Sequence, residues 1–226
     1  MKYNVLDYGS VELLSHTENG DLLVVNAARC SFDKQHNEFD PKKDSKLINY
    51  LAREQHVLPF RHPVCTLRLT CPIFVLRQLG KHQVGFSWSE VSRRYVTGTA
   101  LHHHPDPDQI RQAADNVKQG SSPLAVPHEV GQEMWEEIDE LYDQADYVYT
   151  AMLEKGVCPE QARMVLPQSM FTTAVTTGTL LGWFHMYKLR TEEHTQLETR
   201  TYAHAIGNIL AELFPESWSA LCEHSS

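Results

Sequence analysis

The sequence predicts an α+β fold: an antiparallel or mixed central sheet flanked by helices, including a long helix around 127–155. Three observations predict it. Val64–Cys71, VCTLRLTC, alternates strictly between apolar and polar residues, the period of a half-buried strand. Between Pro127 and Lys155 the residues Met134, Ile138, Leu141, Ala145 and Val148 recur at helical spacing. Strand and helix patterns are otherwise mixed without a βαβ rhythm, which argues against a doubly wound sheet. With 226 residues and 42% apolar content, one domain is the expected organisation.

Taken in order, VELLSHTENGDLLVV reads as a strand, a turn on Asn19-Gly20 and an apolar run whose type the periodicity leaves open. Ser45–Gln55 places Leu47, Ile48, Leu51 and Ala52 on one helical face behind Ser45 as N-cap. In the strand 64–71 the inward set is Cys65, Leu67, Leu69 and Cys71, while Thr66, Arg68 and Thr70 face outward. Pro72 then suits a helix start and Gly80 its end, which puts Arg77 and Gln78 on the last turn. SWSEVSRRYV alternates again and reads as a strand with Glu90, Ser92 and Arg94 on one face. TGTALHHHPDPD and SSPLAVP read as loops, separated by a short helix around Asp108 to Lys118. After the long helix, Pro159 opens a short one, threonine-rich SMFTTAVTTG reads as a strand, and TLLGWFHMYKLR as a buried helix. TQLETRTYAHAIGNILAELF is an amphipathic helix through Ala203, Ile206, Leu210 and Leu213.

Composition narrows the function classes. A net charge of −9 argues against non-specific nucleic-acid coating, which needs a surplus of Lys and Arg. No run of 18 apolar residues and no leader-like N-terminus are present, so neither a membrane nor secretion is expected, and the expected location is cytoplasmic. The five cysteines, Cys30, Cys65, Cys71, Cys158 and Cys222, form no C-x-x-C pair; they read as reduced, structural thiols. Neither a dinucleotide fingerprint nor a phosphate loop occurs.

Against that acidic background, Arg77, Gln78, Lys81, His82, Glu90, Ser92, Arg93 and Arg94 form a dense polar cluster. One reading is a solvated helix end followed by a polar edge strand. The other is an anion site, because the helix carrying Gln78 is otherwise apolar and an acceptor, a hydroxyl and a guanidinium suit a nucleotide's base, sugar and phosphate. Arg163 and Arg190 each stand among apolar residues, where a cation needs an anionic partner. His102, His103 and His104 read as a solvated loop; no metal site is expected.

These motifs carry a resemblance. PIFVLRQLGKHQ, SEVSRRY, ARMVLP and KLRTEEHTQLE resemble, in order and spacing, blocks of the flavin-dependent thymidylate synthases, and the similarity runs from NVLDYGSVELL to about Phe214. The family's Arg-His-Arg triplet stands here as Lys81-His82-Gln83, the linker is one residue longer, and Ser89 replaces the usual Asn. The resemblance implies FAD as cofactor, dUMP and methylenetetrahydrofolate as substrates, NADPH as reductant, and a homotetramer with active sites shared between subunits. It also implies catalysis without a cysteine nucleophile.

Residue by residue, it puts Gln78, Lys81, Glu90, Val91, Ser92, Arg93, Arg94, Arg163 and Arg190 around dUMP. Arg94 and Arg163 would clamp the phosphate, and Arg190 would contact the uracil, favour loss of its N3 proton and act catalytically. Ser92 would bind substrate. The flavin set would be Ser31, His56, Lys81, His82, Gln83, Glu90, Thr179, His185 and His194. Leu58, Arg61, Thr179, Leu181 and His185 depart from the residues common in the family. The altered triplet leaves two alternatives open: hydroxymethylation of dUMP at C5, or a nucleotide-binding homologue without catalysis.

Overall fold

A computed structural model describes residues 1–115 and 120–225. Its centre is a five-stranded antiparallel sheet of order β1-β2-β3-β7-β4, from β1 (Lys2–Val5), β2 (Gly9–His16), β3 (Val64–Pro72), β4 (Phe86–Glu90) and β7 (Phe171–Thr179). The expected α+β class is observed, with the sheet wholly antiparallel. β3 behaves as its alternation requires. Cys65, Leu67, Leu69 and Cys71 are fully buried, and the opposite face pairs threonine hydroxyls with β7: Thr66 with Thr177 at 2.9 Å and Thr70 with Thr173 at 3.2 Å.

Helices cover the apolar face. Asn19 adopts a left-handed conformation (φ 52°), which turns the chain from β2 into α1 (Gly20–Arg29) and settles the open apolar run as a helix. α2 (Asp44–Arg53) starts one residue before the expected Ser45 cap, and no side chain caps it; the Asp40 carboxylate instead accepts from the N–H groups of Lys42 and Lys43 in the turn leading into the helix. The Asp44 side chain is wholly buried and accepts from Arg29 Nη2 at 2.6 Å, tying α1 to α2. α6 (Leu180–Arg190), α7 (Leu197–Leu213) and α8 (Pro215–Glu223) complete the layer around Trp183, Tyr202 and Phe214. Tyr202 Oη donates to the Thr70 carbonyl at 2.7 Å, directly over Gly9, where a β-carbon would lie 1.8 Å from that oxygen.

Several expectations are corrected. The strand read through Arg94 ends at Glu90. Its last ladder bond is Val91 N–H to Thr173 C=O, and the Ser92 carbonyl then accepts from Tyr95 and Val96 in a turn, so Ser92 and Arg94 share no strand face with Glu90. Within the segment read as a helix from Asp108, Arg111–Ala113 is a strand, β5; positions 116–119 lie outside the described residues. The segment SSPLAVP contains β6 (Ser121–Ala125), which pairs with β5 in a separate hairpin.

The histidine triplet is not a solvated loop. His102 Nε2 meets Asp146 at 3.1 Å and its ring stacks on Tyr142; His103 Nδ1 meets Asp7 at 2.8 Å; His104 stacks on Trp135 at 4.4 Å and 9°. These contacts fasten α4 (His128–Glu154) to the body of the protein. The stripe expected to bury on α4 is only partly covered: Met134 is 38% and Leu141 59% exposed, whereas Gly131 and Tyr149 are buried beside the stacked Trp135 and Tyr142. Cys65 and Cys71 are core residues as expected, and burial pushes the Cys65 thiol up to about 12 and the Cys71 thiol higher. Cys30 and Cys158 are exposed, against the expectation of buried thiols.

Candidate active site

The site begins with a seven-residue helix. In α3 (Ile73–Leu79), Val75, Leu76 and Leu79 bury against the sheet, which leaves Gln78 half-buried and Arg77 exposed on the last turn, as the Pro72 and Gly80 boundaries require. Arg77 donates to Gln168 Oε1 at 3.1 Å. The following loop is pinned by its backbone: Phe86 N–H to Gln83 C=O at 3.2 Å, Thr179 N–H to Gly85 C=O at 2.9 Å, and Trp88 Nε1–H to His82 C=O at 3.0 Å.

α6 meets this loop at both ends. Thr179 caps its start by accepting from Gly182 N–H at 3.0 Å, and the apolar body of the helix, buried at Leu180, Trp183 and Met186, carries Arg190 into the last turn. There Arg190 Nη2 donates to the Gln78 carbonyl at 2.9 Å and Nε donates to His82 Nε2 at 3.2 Å. A guanidinium has no lone pair to offer, so His82 accepts and its ring is neutral. Burial, the Arg190 charge and nearby His185 together push His82 down to about 4. His185 is lowered too, by burial, then Arg61, then Lys188. One wall thus holds two imidazoles neutral among three fixed cations.

The expected substrate residues fall into separate clefts. Gln78 and Arg190 line one of about 550 Å³, together with His194 of the expected flavin set and with Arg111, Glu192 and Gln196; Gln78 Nε2 donates to Gln196 Oε1 at 2.6 Å. Glu90, Val91, Arg93 and Arg163 line another of about 390 Å³. Glu90 accepts from Thr172 Oγ1 at 3.0 Å, and Arg93 donates to the Gly98 and Thr99 carbonyls beside the Tyr149 ring. Ser92 and Arg94 follow in the adjoining turn, where Ser92 Oγ accepts from Arg94 Nε at 3.2 Å. Arg163 is exposed and not buried among apolar residues, so the demand for an internal counter-ion falls away.

The expected flavin residues are less gathered. His82, Thr179 and His185 lie around the α3–β4 loop, Lys81 and Gln83 are exposed on it, and Gln83 Nε2 turns back to the Gly80 carbonyl at 2.6 Å. Ser31 lies in the turn after α1 and His56 after α2, against the Tyr50 ring; neither lines the two clefts. As a donor set, exposed imidazoles and hydroxyls beside Arg61, Lys81 and Lys188 fit a ligand that is aromatic and carries phosphates. Sequence reasoning missed Arg111, Ser121 and Gln196, which also line the first cleft. Arg111 sits in a segment whose polar spacing mimics a helix, and its partner Glu198 is 87 residues away.

Residues 12–216 match the family model described as thymidylate synthase complementing protein. The chain is 36% identical to a flavin-dependent thymidylate synthase of Thermus thermophilus, covering 97% of this chain and 78% of that protein. It is 34% identical to one of Thermotoga neapolitana, covering 100% and 96%. Among solved structures, the UMP/dUMP methylase PolB from Streptomyces cacaoi bound with 5-Br dUMP is similar at a TM-score of 0.86 and 28% identity, over 98% of this chain and 97% of that one. The chain belongs to the flavin-dependent thymidylate synthases, an enzyme family that uses a flavin. No helix among the described residues is long and apolar enough to cross a membrane.

Proposed function

We propose that this enzyme converts dUMP to dTMP, with methylenetetrahydrofolate as one-carbon donor, NADPH as reductant and FAD as the bound flavin. The observation that carries the reading is Arg190, a fixed cation in an open cleft beside a histidine that stays neutral. Arg190 would contact the uracil and stabilise the anion left when N3 loses its proton, making C5 electron-rich. Because His82 accepts from Arg190 and carries no charge, it orients the guanidinium without competing for the anion. Arg94 and Arg163 would hold the phosphate bidentately, with Ser92 beside them. FAD would supply the hydride chemistry when bound, held by His82, Thr179, His185, His194 and Lys81.

Two features support a homotetramer with shared sites. The uracil-side residues Gln78 and Arg190 line a different cleft from Arg163 and its neighbours. The outer edge of the α4 stripe, at Met134 and Leu141, exposes apolar surface that a second copy would cover. The similar Streptomyces cacaoi protein PolB is a UMP/dUMP methylase, which agrees with a pyrimidine nucleotide here. Incubating the purified protein with FAD, dUMP, methylenetetrahydrofolate and NADPH should yield dTMP by mass spectrometry; its absence refutes the proposal.

A second reading has one observation in its favour. Gln83 bonds the loop backbone at Gly80, so the Lys81-His82-Gln83 triplet presents one fixed charge where the family's presents two. A site reshaped there could pass the one-carbon unit to water, giving 5-hydroxymethyl-dUMP. Product mass separates the two.

A further inference from the structure

We propose that Arg111 binds the glutamate carboxylate of the folate donor in the Arg190 cleft, and so sets the preference for glutamate-bearing folates; this rests on the folate-dependent function proposed above. Arg111 opens β5 and lines the same cleft as Gln78 and Arg190. It is held from two sides. Nη2 donates to Glu198 Oε1 at 2.8 Å and Nε donates to Ser121 Oγ at 2.9 Å, with the Arg111 side chain 21% and that of Glu198 10% exposed. A guanidinium has five N–H donors, so two commitments leave the rest of the planar fork available to a carboxylate. Rigid mounting also lowers the entropy lost when a ligand binds.

The hairpin is anchored where this role needs it. Gly120, just before β6, has a φ of +97°, a conformation that favours glycine, and its α-carbon side packs on His194 of the same cleft. Arg111, Arg190 and His194 therefore line one cleft with Glu192, and the two guanidiniums there offer an anion its donors. Three substrates carry anionic groups, besides the flavin pyrophosphate, which has Lys81 on the α3–β4 loop and Arg61 and Lys188 beside His185. The dUMP phosphate already has Arg94 and Arg163 outside this cleft, and the reductant needs only to reach the flavin. The one-carbon donor must reach the base held at Arg190, and its glutamate, the anionic end far from the one-carbon unit, is then directed along the same cleft to Arg111.

The test compares methylenetetrahydrofolate with methylenetetrahydropteroate, which has the same ring and aryl amine but no glutamate. Wild-type enzyme should prefer the glutamate-bearing donor by about tenfold in kcat/KM, the effect of one charge-assisted contact. Arg111→Gln should bring that preference close to one, with the KM values for dUMP and NADPH unchanged. Because Arg111→Gln leaves Glu198 buried without its cation, the double variant Arg111→Gln/Glu198→Gln carries the test if the single one fails to fold. Calorimetric binding of tetrahydrofolate and tetrahydropteroate to the same proteins reads the preference without turnover, so an enzyme that makes no dTMP would sink the proposed function and still report on Arg111. An unchanged preference in the variants, or a loss confined to dUMP or NADPH, overturns the assignment.

Discussion

Replacing Arg190 with alanine removes two hydrogen bonds and one fixed charge, and the structure separates their effects. The bonds to the Gln78 carbonyl and to His82 Nε2 join the end of α6 to the end of α3. At a net contribution of about 1 kcal/mol each, their loss costs about 2 kcal/mol. For a chain of this size that lowers Tm by roughly 4–8 °C. The fold survives this, since the core around Trp183 and Tyr202 is untouched. Turnover should fall far more, by about 10²–10³-fold, the usual effect of removing one donor from a developing anion. The assay is dTMP formation by mass spectrometry, run beside thermal melting and flavin absorbance. Near-normal turnover in a folded, yellow variant would refute the role given to Arg190; lost turnover with an unfolded protein would refute the energetic separation.

Four further outcomes follow from this contact and from two others. Since His82 is held at about 4, below its ordinary 6.5, the unfolded chain takes up that proton more readily than the folded one. Its contribution to stability is therefore intact above about pH 6.5 and is lost as pH falls toward 4; histidine NMR should show no His82 titration between pH 6 and 8. In Arg190→Ala the His82 value should rise yet stay below the ordinary one, because burial is the larger cause. Asp44→Ala leaves Arg29 without its buried partner and should cost about 3–5 kcal/mol in urea unfolding. His104→Ala removes the ring stacked on Trp135 and its Nε2–H bond to the Trp135 carbonyl, and should cost about 1–2 kcal/mol, seen as faster hydrogen exchange in α4 than in the sheet.

What the sequence made legible was local. The alternation of Val64–Cys71, the Pro72 and Gly80 boundaries of α3, and the apolar runs of α6 and α7 all correspond to observed elements, because one residue's burial there follows from its neighbours'. The failures depended on distant partners. Nothing within SWSEVSRRYV marks the end of β4 at Glu90: β7 runs on through Thr173, Thr172 and Phe171, and the ladder stops because the chain turns away at Ser92, whose carbonyl takes the N–H groups of Tyr95 and Val96. The three histidines looked solvated because Asp7, Tyr142, Asp146 and Trp135, which hold them, come from the first turn of the chain and from α4. Met134 and Leu141 had the right period for a core, but the period fixes only which residues share a face, and the chain's own body covers the neighbouring aromatic edge. Of the site, Gln78, His82 and Arg190 lie against one another, whereas Arg111 enters through a hairpin that the sequence disguised as a helix.

The most direct test of the central claim, a dUMP-methylating site completed by two subunits, is complementation between Arg190→Ala and Arg163→Ala. Each variant alone should make almost no dTMP. Unfolded together and reassembled, they should regain activity, because some sites then receive Arg190 from one subunit and Arg163 from the other. Mixed oligomers that form and still make no dTMP would contradict the account.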